Sequence, residues 1–125
     1  MPLLPNPEQF YANVWQLVRQ VPHGRLTTYG QIAKMIAPPE GITAEEYKTY
    51  GSRWVGNAMR ACPPDVPWQR VINSQGKISD RPGAHKQRQL LETEGIQFVK
   101  DKANLNTYMW PESAGEKKPI QPSLF

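Results

Sequence analysis

The stretch Ser52–Arg60, SRWVGNAMR, decides how the chain is read. It suits a helix, yet Gly56 in its middle costs about 1 kcal/mol of helix propensity relative to alanine, and something must justify it. Small side chains at Gly56 and Ala58 let the backbone approach another surface closely, with positive charge beside it from Arg53 and Arg60. Upstream, Pro22 and Gly24 supply a turn, and Thr28 and Gln31 stand at capping-box spacing ahead of Ile32, Ala33, Met35 and Ile36, which predicts a short helix. Between the two lies a connection, Ala37–Thr49, that Pro38 and Pro39 open. It reads as a surface insertion in which Thr43 and Glu46 cap one or two helical turns. The two helices form a helix-turn-helix-like pair.

Outward from that pair, Glu8–Arg19 places Phe10, Tyr11, Val14, Trp15, Leu17 and Val18 at helical spacing behind Asn6 and Pro7, which suit the cap and first turn. On the other side, WQRVI, NSQG and KIS predict two short strands around an Asn/Gly turn, with Trp68 on the first strand and Asn73 as a turn residue. A fourth helix follows over Ala84–Glu94, with Gly95 as its C-cap. The fold class is therefore mainly α with a short β-hairpin. One domain over 1–110, its core about 8–96, precedes a Pro-, Lys- and Ser-rich segment, 111–125, that reads as a flexible tail.

At 125 residues there is room for one modest core. Fifteen Lys and Arg against eleven Asp and Glu leave +4, a mild excess that favours polyanions without proving contact. Cys62 is the single cysteine and His23 and His85 the only histidines, so neither an internal disulfide nor a zinc-type cluster can be assembled. No cofactor is expected. No window approaches the roughly twenty apolar residues of a membrane span, so a cytoplasmic, nucleoid-associated monomer with no membrane partner is the expectation. On the residues alone, Trp68 is either a core aromatic or the occupant of a position where other chains carry a reactive group.

The order VPHGRLTTYGQIA, SRWVGNAMR, PWQRVI, GKIS and QLLETEGI resembles the C-terminal DNA-binding domain of alkylguanine-DNA alkyltransferases, a winged helix-turn-helix-like fold, over roughly Glu8–Ile96. In that family the third of these motifs reads Pro-Cys-His-Arg-Val, and its cysteine takes the alkyl group from guanine alkylated on its exocyclic oxygen. Here Trp68 and Gln69 stand at the cysteine and histidine positions, a departure similar to the alkyltransferase-like proteins. The reaction needs a thiolate made by an adjacent base. An indole and a carboxamide supply neither, so no catalytic residue is expected, and Glu94, at the position of the family's orienting carboxylate, is with Gln69 a remnant of the relay.

The resemblance implies a lesion pocket at Trp68, Met59, Val71 and Arg81. It implies nucleotide flipping by Tyr29, which crowds the target phosphate, and by Arg53, which enters the base stack. It also implies DNA contacts from Thr27, Thr28, Gln31 and Asn57, with Gly56 letting the helix enter the narrow minor groove. The implied partners are duplex DNA containing alkylated guanine and the proteins of nucleotide excision repair. The last five residues, Gln121–Phe125, look like a peptide by which bacterial proteins dock on the replication sliding clamp. The competing readings are a residual alkyltransferase using Cys62 or another nucleophile, and a helix-turn-helix transcription regulator that reads sequence.

Overall fold

The computed structural model of the chain describes residues 3–111. The expected tail beyond Pro111, and with it the Gln121–Phe125 peptide, lies outside the described residues. Helix α1 (Pro7–Val18) starts where Asn6 accepts the Gln9 backbone N–H at 3.3 Å and Pro7 takes the first turn, which has no need of its missing N–H. Its buried residues, Phe10, Val14 and Val18, recur every fourth position and form one face. After strand β1 (Thr27–Thr28), helix α2 (Tyr29–Met35) is capped by the Thr28 hydroxyl, which accepts from the Gln31 N–H at 3.0 Å.

Helix α3 spans Ala44–Arg60, two turns more than the sequence expectation of Ser52–Arg60, so that residues 44–49 of the expected insertion are helix continuous with it and residues 37–43 are loop. Two local causes explain the difference. Thr43 and Glu46 form a complete capping box, each bond 3.0 Å long. The added turns also have packing partners: Tyr47 and Tyr50 lie against Trp54, and Tyr47 and Trp54 meet Phe10 edge-on at 6.4 and 6.5 Å. The Tyr47 hydroxyl donates to the carbonyls of Ala33 and Ile36, closing the C-terminal end of α2. The glycine that permits close approach of the two helices is Gly51, where a Cβ would sit 3.4 Å from Ala33 Cβ; at Gly56 a Cβ would meet nothing within 4 Å.

The sequence also placed the strands differently. Trp68–Arg70 is a turn of 3₁₀ helix, not a strand, and Lys77–Ser79 is not a strand either. Strand β2 is only Val71–Ile72, and it pairs in parallel with β1, Thr27 beside Val71 and Thr28 beside Ile72, with α2 and α3 as the crossover. Successive strand residues face opposite ways. Val71 therefore enters a cluster with Phe10, Val14, Trp54, Val55 and Met59, while Ile72 enters a second with Leu26, Leu91, Ile96 and Ala103. The short ladder is the seam between the two halves of the core.

The hairpin lies later, between β3 (Phe98–Val99) and β4 (Lys102–Ala103), after helix α4 (Ala84–Thr93). Its turn residues, Lys100 and Asp101, have φ of 53° and 64°, which a tight hairpin demands and which Asn-Gly, not Lys-Asp, announces in a sequence. Arg88 compensates: it donates to Asp101 at 2.7 Å and lies over the Phe98 ring at 4.8 Å. Helix α5 (Leu105–Tyr108) then brings the chain back to β1, where Leu26 N–H donates to Tyr108 O at 2.9 Å and Trp110 N–H to Leu26 O at 2.7 Å. Packing thus continues past Ile96 to Trp110.

Candidate nucleic-acid interface

Arg53, Gly56, Asn57 and Arg60 are spaced i, i+3, i+4 and i+7 on α3 and share one face, opposite the buried Trp54, Val55 and Ala58. Both arginines are exposed, and the Arg60 guanidinium donates to Asn57 Oδ1, one turn back. At the C-terminal end of this face opens a cleft of about 410 Å³. Tyr29 from the start of α2, Met59 and Arg60 from the end of α3, Trp68 from the 3₁₀ turn, and Arg81, Pro82 and Gly83 from the loop before α4 line it. No carboxylate is among them, so two guanidiniums share a mostly apolar cleft.

Trp68 is half-buried: it packs against the first core cluster and also faces the cleft. Its indole touches both the core and the cleft. Arg81 is held by its local sequence. Pro82 and Gly83 occupy the middle of a β-turn closed by Ala84 N–H to Arg81 O at 3.0 Å, and Gly83 has φ 92° and ψ −6°, the type II conformation that favours glycine.

Beneath the cleft, Glu94 is almost fully buried, with 6% of its side chain exposed. It accepts from Gly24 N–H at 2.8 Å, Gln69 Nε2 at 2.9 Å and Arg70 Nε at 3.0 Å. Arg70 in turn donates to Val21 O at 2.9 Å. Burial pushes the Glu94 carboxyl up, but the hydrogen bonds from Arg70, Gly24 and Gln69 and the charge of Arg70 outweigh it and hold it below its ordinary value of 4.5. These bonds make a structural clamp that fastens the Trp68 turn to the end of α4 and to the loop after α1.

Of the residues expected at the site, Tyr29, Met59, Trp68 and Arg81 converge, and Arg53, Gly56 and Asn57 share the adjoining helix face. Others do not join them. Val71 is 1% exposed and packs in the core away from the cleft, because β2 is covered on both sides. Thr27 is 1% and Thr28 5% exposed, for the same reason on β1. The Thr28 hydroxyl is occupied as the α2 cap, and that of Thr27 has no partner among the described residues. Neither side chain is offered to a phosphate. Gln31 is half-exposed at the start of α2. Cys62 lies outside the cleft lining, and burial pushes its thiol above the ordinary 9.0. Among the described residues there is no group of His, Cys, Asp and Glu able to hold a metal, and no helix long and apolar enough to cross a membrane.

Sequence reasoning set Arg60 beside Arg53 as positive charge on the helix face without placing it in the cleft, and it missed Pro82 and Gly83 in the lining and Gln87, which bonds to Arg81. Arg60 was legible as the i+7 partner of Arg53, and Pro-Gly as a type II turn. Gln87 carried a fainter signal, a polar residue four positions before Leu91 on the buried side of α4; it is 1% exposed.

The DNA-binding domain of 6-O-methylguanine DNA methyltransferase matches residues 9–96 of this chain. Alkyltransferase-like protein 1 of Schizosaccharomyces pombe is 38% identical over 113 residues, covering 82% of this chain and 95% of that one. The chain belongs to the alkyltransferase-like family. A second relative, the DNA base-flipping protein of Vibrio parahaemolyticus, is 39% identical over 107 residues, covering 82% of this chain and 97% of its own. The crystal structure of the S. pombe alkyltransferase-like protein with damaged DNA containing O6-carboxymethylguanine superposes with a TM-score of 0.69 at 36% identity, over 88% of this chain and 98% of that one. The mainly α fold with its helix-turn-helix-like pair is that of the family.

Proposed function

We propose that the protein is a non-enzymatic sensor of DNA damage, which takes guanine alkylated on its exocyclic oxygen out of the duplex and holds it in the cleft between Trp68 and Arg81. The observation that carries this reading is the cleft itself, built at the end of an arginine-bearing helix face from a flat aromatic, a guanidinium and a methionine, with no thiol in its lining. The α3 face enters the minor groove. Tyr29 crowds the target phosphate and Arg53 occupies the vacated place in the stack. Trp68 and Met59 give the base and its alkyl group apolar surface, and Arg81 bonds to the base or lies against its ring. The product is an unreacted complex, which nucleotide excision repair is then required to process. Related proteins named for base flipping, and one solved with damaged DNA, support the same reading.

Substitution separates the steps. Arg53→Ala should weaken binding to the lesion duplex, since the extruded state loses its plug. Trp68→Ala should cost about 1–3 kcal/mol of lesion binding, the range for a base–aromatic stack. Arg81→Ala should lower the ratio of lesion to plain affinity. Fluorescence polarisation with matched duplexes reads all three, and unchanged binding by all of them would end the proposal.

Gly56 gives an independent check. Since a Cβ there meets nothing within 4 Å, Gly56→Ala should raise stability by about 0.5–1 kcal/mol. It should nevertheless weaken DNA binding, because a side chain on that face holds the helix away from a narrow groove. A melt paired with a binding titration tests both signs; tighter or equal binding would place the groove elsewhere.

The competing alkyltransferase reading requires a covalent product. With Cys62 protonated and outside the cleft, the intact mass after incubation with alkylated duplex should be unchanged. A gain of one alkyl group would overturn the non-enzymatic assignment.

A further inference from the structure

Gln87 has the geometry of an orienting device for Arg81. Its carboxamide is fully buried, and its Nε2 donates to Gln69 O at 3.1 Å and to Val71 O at 3.0 Å, the carbonyls on either side of Arg70 in the segment that carries Trp68. Carbonyls only accept, so these two bonds fix which end of the amide is which. Oε1 must then face the other way, where Arg81 Nη2 donates to it at 3.4 Å. This is the one side-chain hydrogen bond of Arg81 among the described residues, and it leaves the other guanidinium donors available to a ligand.

Resting on the lesion-pocket reading above, we propose that Gln87 is a positioning residue for discrimination: one buried amide sets the Arg81 guanidinium relative to Trp68, and so determines how well the cleft tells an alkylated base from a plain one. Its neutrality is part of the device. A carboxylate at this place would grip Arg81 more firmly but would cancel the charge that reads the base. An amide orients the guanidinium and leaves its charge intact. Because the same amide also anchors the Trp68 segment, the two walls of the cleft are held by one side chain on α4.

The test is a double-mutant cycle on lesion and plain duplexes at one salt concentration, using wild type, Gln87→Met, Arg81→Ala and the double variant, with thermal melts alongside. Gln87→Met should lower the lesion-to-plain affinity ratio about fivefold or more, and should lower it no further when Arg81 is already alanine. An unchanged ratio in Gln87→Met overturns the proposal, as does an equal loss in both backgrounds, which would mean that Gln87 acts without Arg81. A wild type with no discrimination would instead sink the lesion-pocket reading itself. If Gln87→Met does not fold, nitrogen relaxation of the Arg81 side chain in the unsubstituted protein decides: a guanidinium as ordered as that of Arg70 supports the proposal, and one rotating as in free solvent overturns it.

Discussion

Replacing Glu94 with alanine is expected to remove about 3–5 kcal/mol of stability, the largest loss of any single change considered, because it leaves a buried charge without its partner. Arg70, with 16% of its side chain exposed, would keep only the bond to Val21 O. The Gly24 N–H and the Gln69 amide would lose their acceptor as well. Three segments that meet at this carboxylate would loosen together: the loop after α1, the turn bearing Trp68 and the end of α4. The loss should be partly recovered by converting the pair to apolar residues, Arg70→Met with Glu94→Leu, since desolvation of the ions is then avoided. The pH dependence has a definite sign. The folded-state pKa of Glu94 lies below its ordinary 4.5, so its contribution is complete above that value and is lost as pH falls through the lower, folded value. Urea titrations at neutral pH and at successively lower pH should show the wild type losing stability in that window and Glu94→Ala losing less.

Gly76→Ala is expected to cost about 2–4 kcal/mol. A Cβ built at this position would lie 2.4 Å from the carbonyl oxygen of Ala103, an atom of the backbone that cannot rotate aside, and φ is +78°. The contact is also a bonded one, with Ala103 N–H donating to Gly76 O at 2.9 Å and Gly76 N–H to Asn73 O at 3.0 Å. Asn73 pins the turn further by accepting from the N–H groups of Gln75 and Lys77. Making room would pull the turn after β2 away from β4 and open the second core cluster at Ala103. Gly83→Ala would be milder: φ is also positive, but the added carbon meets nothing within 4 Å.

The contrast between these sites shows what a sequence discloses. Asn6, Thr28 and Thr43 announced helix starts because a cap is local chemistry, and each of the three accepts the backbone N–H its position requires. The full length of α3 was hidden because Pro38 and Pro39 read as the start of a long connection. The capping box at Thr43 starts its first turns, and the packing of Tyr47 and Tyr50 on Trp54, seven and four residues ahead, carries them on into the rest of the helix. The strand expected at Trp68 failed for another reason. Two-residue strands have no pattern to read, and whether Val71 faces a cleft or the core is decided by pairing with Thr27, 44 positions earlier. The same pairing withdrew Thr27 and Thr28 from the surface. The hairpin at Lys100–Asp101 lacked the residues that signal its turn and depends instead on Arg88, 13 positions away from Asp101. Residues assigned through the family's motifs, Tyr29, Met59, Trp68 and Arg81, came together because each is carried by a different element that ends at the same cleft. Gln87 escaped because its role exists only between segments: its partners lie 18 and 16 residues before it.

The central claim, that the cleft recognises a damaged base without reacting with it, is tested most directly by the affinity of the wild-type protein for two duplexes that differ in one alkyl group on one guanine, measured at several salt concentrations. Both affinities should fall as salt rises, because phosphate contacts release counterions, while the alkylated duplex stays the tighter ligand by the same factor throughout. Equal affinity for the two duplexes at matched salt would contradict the account.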